Sequence, residues 1–339
     1  MPSHLRPLCI AMIAVAAAVT PATTSVATEQ PVTAVATSGG CASGAPPASF
    51  LGVVYDSEQR SDFQHDVRHL EAIRDHLEGA YCMDESSSIL AFEEGYTDPV
   101  TGETYRGGSE ANVKAELARL GAAANDTPDA TFFFTLSSHG SMWSGLVSDC
   151  PQVRATSSVA FLGEGGGENG LFDDCELGNA LNAHVPDIPA VVIVDCSFCG
   201  GFSDSLTAVS GTVEDGALVE PSGILADNRI VITGCAITTE CFGSADGGNP
   251  FRLFHAVLDE GVADCDGWTA PSFPEVQGLD LPVRGTIDGR CTVSEMFFAA
   301  VWKAYSLASS SPMDDVISIQ QQFRIKYGFA SLEEDIPVL

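Results

Sequence analysis

Short runs of consecutive apolar residues alternate along the chain with longer segments in which apolar residues recur every three or four positions. The short runs are typical of strands buried on both faces of a parallel sheet, and the longer segments of amphipathic helices. The predicted strands cover residues 50–55, 89–92, 131–138, 190–194 and 230–233. Strands and helices in this alternation predict an α/β fold with a mainly parallel sheet and helices on both faces.

The helical segments carry start and stop signals. Side chains that cap helix N-termini precede five of them, namely Ser61, Ser109, Asp173, Asn249 and Thr292. Glycines are predicted to end three of these helices, at Gly79, Gly121 and Gly261. Residues 97–108 are rich in turn formers and predict a surface hairpin between two elements. These signals place helices between the strands, as the crossovers of a parallel sheet require.

The N-terminal region has the pattern of an export signal. Residues 1–27 combine Arg6, an apolar core and the small residues that precede a cleavage site. Residues 28–48 read as a flexible leader, and residues 49–339 as one domain with a C-terminal extension. No later stretch is long enough to span a bilayer, so we expect no membrane association after signal removal and a secreted, periplasmic or extracellular location.

Net charge and cysteine content limit which partners, bonds and metals the chain is expected to have. The formal charge of −31 disfavours nucleic acid and anionic membranes as partners and favours basic peptides. Cys9 lies in the predicted signal, which leaves ten cysteines, an even number that predicts disulfides in an exported protein. Cys196 and Cys199 have C-x-x-C spacing, but no second pair completes a zinc set, and no loop has calcium-ligand spacing. The sequence therefore predicts no metal and no cofactor.

Two predicted strands end in reactive side chains. The strand from residue 131 is followed by His139 and Gly140, and the strand from residue 190 ends in Asp195, Cys196 and Ser197. In α/β proteins, chemistry usually lies at the carboxyl ends of parallel strands. If the two strands are neighbours, about 4.8 Å apart, the first offers a base and the second a nucleophile.

This pair of strand ends resembles the caspase-like cysteine peptidases, a group that includes caspases, metacaspases and legumains. Residues 134–141, FTLSSHGS, are similar to the His-Gly end of legumains and metacaspases, and residues 195–202, DCSFCGGF, to the metacaspase nucleophile end. The resemblance covers roughly residues 50–260. It implies a caspase-like three-layer α/β sandwich and hydrolysis of peptide bonds, with His139 as base. By the same resemblance Asp195 lines the pocket for the residue before the scissile bond, which implies a basic substrate residue.

The nucleophile position departs from this pattern and leaves three readings open. Two residues after Asp195 stands Ser197, where the group has cysteine. Ser197 is a nucleophile if His139 removes its proton during attack. Cys196 replaces it only through a one-residue shift, which turns the side chain to the opposite face of the strand. The third reading is a pseudopeptidase that binds a peptide or partner without cutting it. Bridges from Cys196 or Cys199 to Cys235 or Cys241 fit the readings without a free thiol.

Overall fold

The structure is a computed structural model that describes the greater part of the predicted domain. It covers residues 45–55, 61–83, 86–92, 94–144, 155–160, 171–203, 213–214, 217–218, 224, 226, 228–234, 258, 265–269, 285–308 and 324–327. The predicted signal (1–27) and the leader up to residue 44 lie outside these residues, as does the helix predicted after Asn249, except for Leu258. Cys235 and Cys241 also lie outside them.

A mainly parallel six-stranded sheet forms the centre of the domain. Its strand order is β13-β12-β9-β5-β1-β2. Five strands run parallel and β13 pairs antiparallel with β12 at one edge. The strands are β1 (Ala48–Tyr55), β2 (Ser87–Ala91), β5 (Thr131–Ser138), β9 (Ala190–Asp195), β12 (Arg229–Thr233) and β13 (Arg324–Tyr327). The five parallel strands are those predicted from the apolar runs.

Helices cover both faces of this sheet. The described helices are α1 (Ser61–Ala80), α2 (Glu110–Asn125), α3 (Asp174–His184), α4 (Gly200–Ser203) and α5 (Val293–Ala308). Apolar residues of α1 and α5 pack with Phe133 and Val191 into one core. Those of α2 and α3 pack with Phe134 and Val192 into a second core. Successive strand residues thus supply opposite cores, and the predicted three-layer α/β sandwich is confirmed.

Smaller sheets complete the described structure. The hairpin predicted at residues 97–108 is present as β3 (Tyr96–Thr97) paired antiparallel with β4 (Thr104–Tyr105). After β5 the chain forms an unpredicted antiparallel sheet of β6 (Gly140–Ser144), β7 (Ala155–Ala160) and β8 (Leu171–Asp173). A further pair is β10 (Val213–Glu214) with β11 (Ala217–Leu218). The strands β6 and β7 are rich in serine and lack the apolar alternation by which a strand is recognised.

Two predicted N-caps form the expected hydrogen bonds, whereas one predicted stop glycine does not end its helix; Asn249 and Gly261 lie outside the described residues. Ser109 accepts a hydrogen bond from the Asn112 backbone N–H at 3.3 Å, and Thr292 accepts one from the Glu295 N–H at 3.3 Å. Gly121 does not end α2, which continues to Asn125. A Cβ at Gly121 would lie 2.5 Å from the carbonyl oxygen of His184, so this glycine permits close contact with the end of α3. Within the described residues, no helix has the length and apolarity to cross a bilayer.

Candidate active site

The strands that carry the two predicted reactive ends lie side by side at the centre of the sheet. β5 and β9 pair in parallel, and their last register pair is Ser137 with Asp195. His139 stands two residues beyond Ser137, and Ser197 two residues beyond Asp195. The carboxyl ends of parallel strands meet at one edge of a sheet, and neighbouring strands are about 4.8 Å apart. The fold therefore brings the histidine and serine positions to one place.

Gly140 shows how closely the two strand ends approach. A Cβ at this position would lie 1.9 Å from the backbone oxygen of Ser197 and 2.9 Å from the sulfur of Cys196. Any side chain at residue 140 would overlap the chain that carries the nucleophile position. The absence of a side chain at Gly140 thus sets the contact between the His139 segment and the Ser197 segment.

The alternation of strand faces separates Asp195 from Cys196. Asp195 is register partner to Ser137 and lies on the side of the sheet covered by α1. Cys196 belongs to the opposite core and is fully buried. Its sulfur is bonded to that of Cys199, with the two Cα atoms 5.4 Å apart. The suggested bridges from these cysteines to Cys235 or Cys241 are therefore wrong.

Disulfides also occur elsewhere in the described structure. Cys265 is bonded to Cys291 with a Cα–Cα distance of 5.6 Å, and Cys82 and Cys175 are disulfide-bonded as well. The prediction of a disulfide-bonded chain from its even cysteine count agrees with these bonds.

The turn between β9 and α4 carries the serine, which is buried. Ser197 is 5% exposed, whereas His139 is partly exposed. The next residue, Phe198, has φ of +60°, a left-handed conformation that is unusual for a side chain of this size. The Cys196–Cys199 disulfide closes a ring that contains Ser197 and Phe198. The Ser197 backbone is thus held within a short covalent ring.

A buried polar contact lies next to the candidate site and was not predicted. The hydroxyl of Ser137 donates to the Asp66 carboxylate at 2.8 Å, and both residues are buried. Asp66 also lies 3.8 Å from Nδ1 of His69 on the next turn of α1. Asp66 falls on the apolar stripe of its helix, four residues before Leu70 and seven before Ile73. A carboxylate on a buried stripe is the sequence signal that could have identified it.

Ser157 and Asp174 are two further residues near the turn that sequence reasoning missed. Ser157 lies on β7 and hydrogen-bonds to the turn on both sides of Cys199. Asp174 is 2% exposed and accepts from the Ser157 backbone N–H at 3.2 Å. Asp174 precedes Leu177 by three residues and Leu181 by seven, so the same stripe signal applies to it. Ser157 has no such signal, because its strand has no recognisable pattern.

No metal-binding group was found in the part of the chain that the structure describes. Histidine, cysteine and carboxylate side chains do not gather there in sets of three or more that could hold an ion. The arrangement offers a histidine, a hydroxyl, a buried carboxylate and closely packed backbone. These groups suit nucleophilic acyl transfer, in which a base removes the proton of an attacking hydroxyl.

Comparison with known proteins finds similar solved structures only. No family model matches the chain, and no curated protein sequence matches it. Caspase-1 from Spodoptera frugiperda is 8% identical with a TM-score of 0.45, over 84% of this chain and 88% of that one. The Drosophila initiator caspase Dronc is 11% identical with a TM-score of 0.45, over 86% and 80%. A secreted C11 cysteine protease from Bacteroides thetaiotaomicron, solved with an irreversible peptide inhibitor, is 12% identical with a TM-score of 0.37, over 83% and 66%.

At TM-scores of 0.45 or less, the likeness to these proteins carries no argument about this chain. The chain itself has an α/β fold, with a mainly parallel sheet between two helical layers. At identities of 8–13% no residue role is carried over from these proteins. The catalytic and binding roles of the site residues therefore remain predictions that rest on this chain alone. These residues are His139, Asp195, Cys196 and Ser197.

Proposed function

We propose that this protein is an exported peptidase that hydrolyses peptide bonds after arginine or lysine. His139 is the base, Ser197 the nucleophile and Asp195 the residue that selects the basic side chain. The observation that carries the proposal is the register of β5 and β9, which leaves His139 and Ser197 equally far beyond their last pair, Ser137 and Asp195. Export rests on the predicted signal at residues 1–27.

In this mechanism the reaction proceeds in two balanced steps. The Ser197 hydroxyl oxygen attacks the substrate carbonyl carbon while its proton passes to His139. The tetrahedral intermediate then expels the amine, which takes that proton, and leaves an ester on Ser197. Water attacks the ester with His139 again as base, which releases the acid and restores the hydroxyl. No metal or organic cofactor takes part in either step.

The preference for a basic residue rests on charge. Asp195 is the last residue of β9 and precedes Ser197 by two residues, and Asp66 adds a second carboxylate near Ser137, the register partner of Asp195. The chain as a whole carries −31, which attracts cationic peptides. A carboxylate below the reacting bond would bind guanidinium or ammonium groups through charge-assisted hydrogen bonds.

A second candidate function, peptide binding without cleavage, is favoured by the chemistry of the turn. Serine stands at the nucleophile position, and the adjacent Cys196 is buried and disulfide-bonded to Cys199. A disulfide sulfur is not a nucleophile toward a peptide, so Cys196 has to be reduced and reoriented before it can act. If Ser197 is not activated by His139, the site recognises a peptide and releases it unchanged.

A fluorogenic peptide library with each residue in turn before the cleaved bond tests both functions. We expect wild type to cut after Arg or Lys, His139→Ala to lose at least about 100-fold in kcat, and Asp195→Asn to lose the basic preference. His76→Ala, on the part of α1 remote from Asp66, serves as control and should match wild type.

The variant Ser197→Cys separates the two functions. A silent wild type whose Ser197→Cys form cuts after Arg or Lys would overturn the peptidase proposal and favour the binding protein. Cleavage by wild type that survives both His139→Ala and Ser197→Ala would show that a different site performs the reaction.

A further inference from the structure

One buried hydroxyl from outside the central sheet holds the turn that carries Ser197. Ser157, on β7, donates from its hydroxyl to the Phe198 carbonyl oxygen at 2.5 Å and accepts from the Gly201 N–H at 2.9 Å. These two contacts lie on either side of Cys199, and the first is to the residue next to Ser197. We call Ser157 together with Asp174 the turn brace.

The contact to Phe198 fixes a backbone conformation that would otherwise be unfavourable. Left-handed φ is unfavourable at a residue other than glycine and persists only where the surroundings determine it. The Ser157 hydroxyl binds the carbonyl of this residue and so sets the orientation of the peptide that follows. Loss of the hydroxyl would allow the turn to relax, and Ser197 would move with it.

Asp174 holds Ser157 in place from the first turn of α3. Its Oδ2 accepts the Ser157 backbone N–H at 3.2 Å. The packing leaves no free space at this point, because a Cβ at Gly201 would lie 2.4 Å from the Ser157 hydroxyl oxygen and 2.9 Å from Asp174 Oδ2. Asp174, Ser157 and Gly201 are thus one packed unit, and a change at the carboxyl group reaches the turn directly.

The environment of Asp174 favours its protonated form. Burial raises the pKa of this carboxyl to about 7, and the neighbouring charge of Asp173 adds to the increase, while the N–H groups of Ser157 and Cys175 oppose it. Among the described residues, the other titratable groups on α3 and on the adjacent α2 include Glu176 in the same first turn, His184 at the far end of α3, and Lys114 and Glu110 on α2. Lys114 pairs with both Glu110 and Glu176. The strands β6 and β7 and the helix α4 contain no titratable residue. No cation therefore faces Asp174 from these elements to favour its ionised form.

We propose that Ser157 and Asp174 are positioning residues for the Ser197 turn, and that loss of the Asp174 proton loosens this turn, so that the site is ordered on the acidic side of neutrality. The inference rests on the proposed function for its effect on catalysis, but the motion of the turn does not depend on that function. When the turn opens, water reaches Asp174 and the pKa of its carboxyl returns to the ordinary value. Deprotonation of Asp174 therefore favours the open form of the turn.

Amide hydrogen exchange of the segment 196–203 tests the turn itself. In wild type, the opening constant, corrected for intrinsic exchange, should rise about tenfold between pH 6 and pH 8, as linkage to one carboxyl predicts. In Asp174→Asn, which stays neutral, it should not depend on pH. In Ser157→Ala it should be raised at both pH values, and Ser157→Thr, which keeps the hydroxyl, should restore protection.

Controls separate this effect from general acidity and from misfolding. Asp98→Asn and Ser49→Ala replace a buried aspartate and a buried serine outside the site and should follow wild type. The exchange of β1 reports global stability in every variant, and wild type alone already tests the pH dependence if Asp174→Asn does not fold. A wild-type turn whose protection is independent of pH, or a folded Ser157→Ala with unchanged protection, would overturn the proposal.

Peptide cleavage measured in parallel distinguishes this inference from the proposed function. With a competent peptidase, kcat of wild type should fall above about pH 7, and that limb should disappear in Asp174→Asn while KM changes little. Turn opening as expected but no cleavage at any pH would refute the peptidase and leave the turn brace standing. Cleavage with an alkaline limb that Asp174→Asn retains would refute the brace and leave the peptidase standing.

Discussion

Replacing Gly140 with alanine perturbs the contact on which the site depends. Gly140 is the first residue of β6 and follows His139 directly. The added Cβ would lie 1.9 Å from the Ser197 carbonyl oxygen, 2.9 Å from the Cys196 sulfur and 3.0 Å from the Cys196 Cβ. None of these atoms is the end of a flexible side chain. The oxygen belongs to the backbone of the turn, and the other two atoms belong to Cys196, whose side chain is held by its disulfide to Cys199. The substitution therefore has to move one strand end away from the other.

The size of the effect follows from the overlap. A carbon–oxygen contact relaxes only beyond about 3 Å, so the two strand ends have to separate by about 1 Å. Overpacking of this kind costs about 1–3 kcal/mol of unfolding free energy. A misplacement of about 1 Å between reacting groups costs on the order of 100-fold in rate. We therefore expect Gly140→Ala to lose far more activity than its stability loss can explain.

Gly79→Ala is the matched control. A Cβ at Gly79, near the end of α1, would meet no atom within 4 Å. Alanine there should add about 0.5–1 kcal/mol of stability because it lowers the entropy cost of helix formation. Urea unfolding gives the stability of each variant, and kcat/KM on an Arg or Lys substrate gives the activity. Wild-type activity and stability in Gly140→Ala would refute the inferred contact between the His139 and Ser197 segments.

Three further predictions concern other parts of the chain. The pKa of Asp174 is raised from 3.8 to about 7, so wild type should lose stability as the pH rises through this interval. In urea unfolding, the stability of Asp174→Asn relative to wild type should therefore rise by about 4 kcal/mol between pH 4 and pH 8. A difference that does not change with pH would contradict the raised pKa of Asp174. Alkylation of unreduced native protein should label neither Cys196 nor Cys199, whereas labelling of either by peptide mapping would exclude their disulfide. Arg229 is fully buried, and its Nε and Nη2 meet no hydrogen-bond partner in the described structure. Arg229→Met should therefore raise the unfolding free energy by about 1 kcal/mol or more. A fall of several kcal/mol in the unfolding free energy would show instead that other groups compensate the charge of Arg229.

The central sheet could be predicted because its strands are continuous apolar runs. Phe133 is buried on one face of the sheet and Val192 on the other. Because both faces are buried, most strand positions are apolar, and the run of apolar residues shows where the strand begins and ends. The caps at Ser109 and Thr292 were predictable for a related reason, since each satisfies local backbone donors. Gly121 misled the prediction because its contact is with His184 on another helix, and a single-sequence pattern does not encode that tertiary contact.

The candidate site was predicted only in part. His139 and Ser197 follow the ends of apolar strands. Because reactive residues of α/β proteins usually lie at such strand ends, both could be picked out from the sequence as candidates. The turn brace was missed, because Ser157 lies on a strand without hydrophobic alternation and acts through contacts more than 40 residues away in sequence. Asp174 was missed as well, although its place on the apolar stripe of α3 is the signal that could have identified it as buried.

Covalent labelling with a fluorophosphonate tests most directly whether His139 activates Ser197. An activated hydroxyl attacks phosphorus and expels fluoride, which leaves a stable phosphonyl ester whose position mass spectrometry can map. We predict one adduct, on the peptide that contains Ser197, formed by wild type and by the His76→Ala control but absent from His139→Ala. An unlabelled wild type, or an adduct that forms equally well without His139, would contradict the assignment of these two residues as base and nucleophile.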